Sequence, residues 1–391
     1  MSETTLGALA NAGVLVIGDG YRTKQSELAR EGFRIIRVAD VKGGRISFDS
    51  PDFVGDGYAN QIGAKIAAAG DVLLTTKGTV GRVAIVPPGV PRAVYSPQLC
   101  WFRVIASEVL ESRFLSYWLQ SPAFVAQAAY MQGNTDMAPY ISLTDLRSSR
   151  IALPPRPEQQ AIAEVLGALD DKIAANATLV STSYALLHQT VATAESFDNV
   201  PLSSTASFVN GGAFTNGASG SGRVVIRIAE LNSGVSGSTV YSDAIVADQH
   251  VARPGDILFA WSGSLTLHRW FRDEAIVNQH IFKVVPAGST PAWLVYELIR
   301  QKLDDFKATA ADKATTMGHI RRHHLDELVK VPSPEAVANL HPLMDSLWQT
   351  ALSAERESLT LAAARDALLP QLMSGKLRVR DAEAVASAAG A

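Results

Sequence analysis
The stretch Pro157–Ser196, PEQQAIAEVLGALDDKIAANATLVSTSYALLHQTVATAES, decides the architecture. From Pro157-Glu158-Gln159-Gln160 onward, apolar residues recur as Ile162, Leu166, Leu169, Ile173, Val180 and Leu187, in steps of four and three, with Asn176 and Ser183 at the remaining seam positions. That is a heptad seam, the pattern of a helix that pairs with another long helix. A second stretch answers it. Between Pro334-Glu335 and about Ser374, the residues Leu340, Met344, Leu347, Ala351, Ala354, Ser358, Leu361, Leu368 and Leu372 keep the same schedule. Both stretches open on Pro and Glu, where a missing N–H is harmless and a negative charge suits the helix dipole. Ordinary globular helices run about 8–20 residues. Two seams of this length in one chain therefore predict helices that pair with each other.

A chain of 391 residues has room for two or three cores. Met1–Ala10 has neither the basic start nor the apolar run of a secretory signal, and no stretch reads as a membrane span, so a cytoplasmic protein is expected. Cys100 is the single cysteine, which excludes an internal disulfide and any multi-cysteine zinc site; within the strand-like run Leu99–Ile105 it reads as a buried apolar residue. The net charge of −3 argues at first against nucleic acid, but the charge is unevenly placed. Residues 1–156 carry 16 Lys+Arg against 13 Asp+Glu, and residues 200–333 carry 13 against 12. The acidic excess lies in 157–199, with one base to six acids, and in 334–391, with five to seven. The mildly basic regions permit a phosphate-facing surface.

The chain also repeats itself at an offset of about 180 residues. Ile36-Arg37-Val38-Ala39-Asp40-Val41 is echoed by Ile226-Arg227-Ile228-Ala229-Glu230-Leu231, each read as a short strand ending in an acid. Gly70-Asp71-Val72-Leu73 is echoed by Gly255-Asp256-Ile257-Leu258, with Gly78 and Gly263 following. Ser96-Pro97-Gln98 is matched with Val277-Asn278-Gln279, Thr135-Asp136-Met137 with Thr315-Thr316-Met317, and Ile151-Ala152-Leu153-Pro154 with Val329-Lys330-Val331-Pro332. So long a period means duplicated domains. The expected division is 1–156 and 200–333 for two α/β domains, 157–199 and 334–375 for the long helices, and 376–391 for a disordered tail. Gly211–Gly222 reads as a mobile loop.

Several chemistries are missing. Gly78-Thr79-Val80-Gly81 lies between two strand patterns and does not open a helix, so it is no phosphate-binding loop. The Pro-Pro pairs follow Val86 and Leu153, without the acidic or amide motif that holds a flipped adenine in a methyltransferase. Asp305-Phe306-Lys307 has nuclease-like spacing but sits in a helical pattern. His319 and His323 could share a metal by spacing, yet Arg321, Arg322 and His324 beside them favour a solvated or phosphate-facing basic patch. No catalytic residue and no metal ligand is assigned.

Two half-length repeats, each an α/β unit followed by a long helix, resemble the specificity subunit of type I restriction-modification systems. The local motifs agree: Gly70-Asp71-Val72-Leu73 through Gly81, Leu153-Pro154-Pro155 to Glu158-Gln159-Gln160, and Leu368-Leu369-Pro370-Gln371-Leu372-Met373-Ser374-Gly375-Lys376-Leu377. The resemblance covers nearly the whole chain; the second half lacks the Gly81 equivalent and the Gln-Gln pair. It implies two target-recognition domains, each reading part of a split site on double-stranded DNA, separated by an antiparallel coiled coil. It further implies docking of two methyltransferase subunits and of restriction/translocase subunits, with S-adenosylmethionine and ATP bound by those partners and no cofactor by this chain. A helix of about 38 residues at ~1.5 Å per residue is about 57 Å long, on the order of one and a half turns of B-DNA. Such a spacer fixes the gap between two half-sites.

Bases are read by side chains of fixed donor and acceptor geometry, and phosphates by Lys, Arg, Ser, Thr and backbone amides. On that basis the candidate DNA contacts of the first domain are Lys77, Thr79, Arg82 and Gln98, with Asn134 and Thr135 in the polar loop. In the second they are Ser262, Ser264, His268, Asn278 and Gln279, with Lys313, Thr315, Thr316, Arg321 and Arg322. The alternative reading is a helical scaffold whose duplicated domains bind protein partners and no DNA.

Overall fold
The computed structural model describes residues 2–132, 139–194, 197–312 and 318–390. It divides into two compact units, one of residues 1–172 and 361–391, the other of residues 173–360. Both boundaries fall inside the long helices Arg156–Ala192 and Pro334–Met373, so each unit holds a part of each helix.

In the first unit a four-stranded antiparallel sheet runs in the order Leu15–Asp19, Leu99–Val104, Val72–Thr75, Val83–Ile85. Val72, Leu73, Leu74 and Thr75 are all buried, as befits a central strand covered on both faces. A second sheet has the order Ala93–Tyr95, Phe33–Ile36, Phe53–Val54, Leu28–Ala29, its first pair parallel. Ser2–Thr5 pairs antiparallel with Arg150–Leu153 immediately before the central helix. The shared core contains Ile36, Leu73, Tyr95, Leu99 and Trp101.

The second unit repeats the order of the antiparallel sheet and the parallel pair of the second sheet, whose outer strands differ. Its antiparallel sheet is Ala206–Asn210, Ile281–Pro286, Ile257–Ala260, Thr266–Arg269, and Arg223–Ile226 pairs parallel with Ala275–Val277. Phe197–Pro201 pairs with Leu328–Pro332 before the second long helix. Ile226, Leu258, Val277 and Ile281 form the matching core.

The Arg37 and Arg227 motifs are not strands that end in an acid. Strand geometry stops at Ile36 and Ile226, and a helical turn follows in which Asp40 or Glu230 accepts a hydrogen bond from the backbone N–H of Arg37 or Arg227. Glu230 is buried and also accepts from the Arg227 guanidinium at 2.6 Å and from Thr239 Oγ1 at 3.1 Å. Burial alone would push its pKa up, but these bonds outweigh burial and hold it below the usual carboxylate value. Its stabilisation is therefore present above the unfolded-state pKa and lost as pH falls through the depressed folded one. Glu230→Gln is expected to lower stability at pH 7 by about 1–3 kcal/mol and to flatten the acid limb of a melting-temperature series from pH 7 to 3. An unaltered acid limb would remove Glu230 from the linkage.

The helical seam is buried where the period places it. Ile162, Leu166, Leu169, Leu361, Leu368 and Leu372 are at most 2% exposed in the first unit, as are Leu187 and Met344 in the second. Each such side chain contributes about 1.5–3 kcal/mol of burial. Ile173, Val180, Leu340 and Leu347 are half-buried. Within the second unit Asn176 meets Glu357 at 2.7 Å and Tyr184 meets Trp348 edge to face, so one helix number rises as the other falls and the pairing is antiparallel. Asn176 and Ser183 are buried seam residues, and Asn176 Nδ2 donates to Glu357, a polar contact of the kind that fixes register. In the first unit Asp170 accepts from Tyr117 at 2.7 Å and pairs with Arg365 at 2.8 Å, tying both helices to the sheet domain.

The tail expected to be disordered forms the helix Val379–Ala388, with Ala382 and Ala386 buried one turn apart. Alanine is the strongest helix former, and its small methyl needs little space to pack. Cys100 is buried in its strand, and burial pushes its thiol pKa up. No helix among the described residues is long and apolar enough to cross a membrane.

Candidate DNA interface
In the first unit the sequence-derived candidates Lys77, Thr79, Arg82 and Gln98 line one open cleft of about 880 Å³. Four further cations, Arg22, Lys24, Arg37 and Lys42, line it too, and no acidic residue among the described ones does. The cleft is built by close backbone approach at Gly20. A Cβ there would lie 1.9 Å from the Ser96 carbonyl oxygen, so only glycine lets its N–H reach Leu99 O at 3.1 Å. The chain then turns away, carrying Arg22 and Lys24 to the rim.

The cations differ in what holds them. Arg37 pairs with Asp52 at 2.5 Å, and Arg82 is half-buried, donating to the carbonyls of Val38 and Val41 at 3.2 Å. Arg82 thus braces the wall. Arg22, Lys24, Lys42 and Lys77 are exposed and form no ion pair among the described residues; the Lys77 ammonium sits 5.6 Å from the Tyr140 ring centre. Gln98 is exposed while its carbonyl takes the N–H of Thr76 at 2.9 Å, which orients the side chain from a fixed backbone. Asn134 and Thr135 lie outside the described residues.

The matching place in the second unit is built the same way. A Cβ on Gly211 would lie 2.1 Å from the Asn278 carbonyl oxygen, and Gly211 N donates to Ile281 O at 2.9 Å. Ser96 N donates to Ile36 O, and Asn278 N to Ile226 O; Thr76 N donates to Gln98 O, and Trp261 N to His280 O. Gln98 therefore corresponds to His280 and not to Gln279, a one-residue correction of the repeat. Gln279 is exposed, with its N–H given to Gly212 O at 2.7 Å. Asn278 is 7% exposed, and its Oδ1 accepts from Phe214 N at 3.1 Å, which pins the start of the Gly211–Gly222 loop.

The remaining candidates scatter. Ser262 is buried and bridges to His319, while Ser264 is exposed beside Lys307 in a separate cleft of about 380 Å³. His268 is half-buried in its strand with Nε2 2.7 Å from Thr266 Oγ1, and burial lowers its pKa, so it favours the neutral form. Arg321 is exposed, and Arg322 donates to Phe208 O at 2.9 Å. The His323 and His324 rings lie 4.1 Å apart at a tilt, whereas His319 lies against Trp261. Lys313, Thr315 and Thr316 lie outside the described residues. What the sequence missed is an aromatic and imidazole cluster: Trp261 is 5.1 Å from His280 and 6.5 Å from His319 between ring centres, and its Nε1 donates to Asn210 at 2.9 Å. The signal for it was the paired glycines Gly20 and Gly211, which set the correct register.

Residues 9–181 match the family described as the type I restriction modification DNA specificity domain. The MjaVIII specificity subunit of Methanocaldococcus jannaschii is 28% identical over 166 residues, 41% of this chain and 38% of that protein. The EcoBI specificity subunit of Escherichia coli is 28% identical over 174 residues, 41% of this chain and 33% of that protein. The matched segments thus span little more than a third of those relatives. The crystal structure of a type I restriction-modification S subunit from M. genitalium shares the fold over 95% of both chains, at a TM-score of 0.59 and 15% identity. Residues 9–181 are thus similar to a type I restriction modification DNA specificity domain.

Proposed function
We propose that this chain is the DNA-specificity subunit of a type I restriction-modification complex. It carries no catalytic site of its own. Each duplicated unit binds one part of a bipartite duplex target, and the long helices dock the adenine-methyltransferase and restriction subunits, which carry S-adenosylmethionine and ATP. The observation that carries this reading is the cleft of the first unit, where among the described residues no acid lines the wall and four exposed cations without ion-pair partners line it with Gln98. Unpaired cations displace condensed counterions from the phosphate backbone, which supplies affinity, and an oriented amide can read a base edge. The repeated antiparallel sheet and parallel pair of the second unit support a target in two parts.

The test is to co-express this chain with its methyltransferase subunit in a methylation-free host and to map methylated adenines. A split motif with a fixed spacer, lost when this chain is omitted, is expected. No methylation from a verified complex, together with salt-insensitive binding, would leave the protein-binding scaffold as the better account.

A further inference from the structure
Among the described residues, His280 is the only non-glycine with a positive φ, at 73°. Glycine or asparagine takes that conformation at little cost; a bulkier side chain does not. The fold does not demand it, because Gln98 occupies the corresponding position of the first unit, offers the same carbonyl to the neighbouring strand and has no positive φ. The Nδ1 of His280 is buried and has no hydrogen-bond partner among the described residues, a further cost of this conformation. Its ring is packed at 5.1 Å against Trp261, a half-buried indole whose polar tip is already held by Asn210. An imidazole kept in a strained conformation beside a fixed aromatic face, at the position that Gln98 holds in the cleft of the first unit, is arranged for a ligand.

We propose that His280 and Trp261 form the base-reading centre of the second unit. The imidazole meets a base edge in a DNA groove, and the indole supplies the apolar face beside it. This rests on the DNA-specificity reading above. It makes the two units chemically unlike: the first approaches DNA with unpaired cations around an amide, the second with an aromatic and imidazole pair. The second unit's contribution is then chiefly to sequence preference, with less of the salt-dependent affinity.

The test uses the full chain in complex with its methyltransferase subunit, as wild type, His280→Gly, His280→Asn and Gln98→Ala. Methylated motifs are mapped, and each purified complex is titrated with a duplex carrying the wild-type motif and with a scrambled duplex of equal length. Glycine relieves the backbone, so the melting temperature of His280→Gly equals or exceeds that of wild type. Its affinity for the motif duplex falls about tenfold, as expected for a lost base contact, while its affinity and salt slope on the scrambled duplex stay as in wild type. Methylation relaxes in one half-site only, Gln98→Ala relaxes the opposite half-site, and His280→Asn changes preference at the same positions as His280→Gly. Wild-type motifs and affinities in both His280 variants would overturn the inference, as would an equal loss on both duplexes. A wild-type complex that gives no split motif would overturn the specificity reading itself, an outcome distinct from a split motif insensitive to His280.

Discussion

Arg269→Ala is expected to destabilise the second unit by about 3–5 kcal/mol, the cost of stripping one partner from a buried ion pair. The Arg269 side chain is fully buried, and its guanidinium meets Glu355 of the second long helix at 2.6 Å. It also donates to the Trp348 carbonyl and lies 4.3 Å over the Trp348 ring and 5.4 Å from the Tyr184 ring. Tyr184 belongs to the central helix and Trp348 to the second, so one cation from the sheet edge grips both helices. Without it Glu355 is left in apolar surroundings that push its pKa up, and the cation's contact with two aromatic rings is lost. For a unit of this size the loss corresponds to a fall in melting temperature of about 6–20 °C. Calorimetry on the full chain measures it. Arg269→Lys should recover little, because an ammonium cannot stack and bond bidentately. The double variant Arg269→Ala with Glu355→Ala should cost much less than the two single losses added. A single-variant loss under about 1 kcal/mol would mean that the pair contributes nothing beyond an exposed ion pair.

The same residue shows where sequence reading reaches and where it stops. The seam of the long helices was legible because a period of seven survives in any single chain: Leu166, Leu169, Leu361 and Leu368 are buried as the spacing required. The duplication was legible because strand cores such as Val72-Leu73 and Ile257-Leu258 repeat the apolar pattern that two-sided burial demands. Arg269 was invisible, since its partners are 79 and 86 residues away and nothing local distinguishes it from a solvated strand residue. The basic cleft was half legible. Lys77, Thr79, Arg82 and Gln98 cluster around one turn, but Arg22, Lys24 and Lys42 come to it from strand connections that only the folded sheet brings together. His280 was missed because Gln98 was matched to the chemically identical Gln279. Backbone hydrogen bonds, not residue identity, set the true register, and a positive φ at histidine leaves no mark in sequence. The acids Asp40 and Glu230 were found but misread, because a capping carboxylate and a strand-end carboxylate follow the same apolar run.

The combined variant Arg22→Ala, Lys24→Ala, Lys77→Ala is expected to weaken DNA binding by about two orders of magnitude near physiological salt, with the sequence preference intact. The reasoning is counterion release. Each cation that neutralises one phosphate contributes about 0.9 to the slope of log affinity against log salt. At an ionic strength of about 0.15 M this amounts to roughly fivefold per contact, so three contacts give roughly a hundredfold and lower the slope by about 2.7. These three are the right choice because they are exposed, carry no ion pair among the described residues and line the same cleft as Gln98. Their removal leaves no buried charge, so the melting temperature should move by less than ~1 kcal/mol equivalent. Arg82 is the internal contrast: its guanidinium is engaged by the Val38 and Val41 carbonyls, so Arg82→Ala should lower stability first and leave the salt slope nearly unchanged. Affinity measured on the motif duplex and on a scrambled duplex across a salt series separates the cases. Equal weakening on both duplexes with a reduced slope identifies phosphate contacts. An unchanged slope in the triple variant would take the cleft out of the DNA interface, whatever became of its affinity.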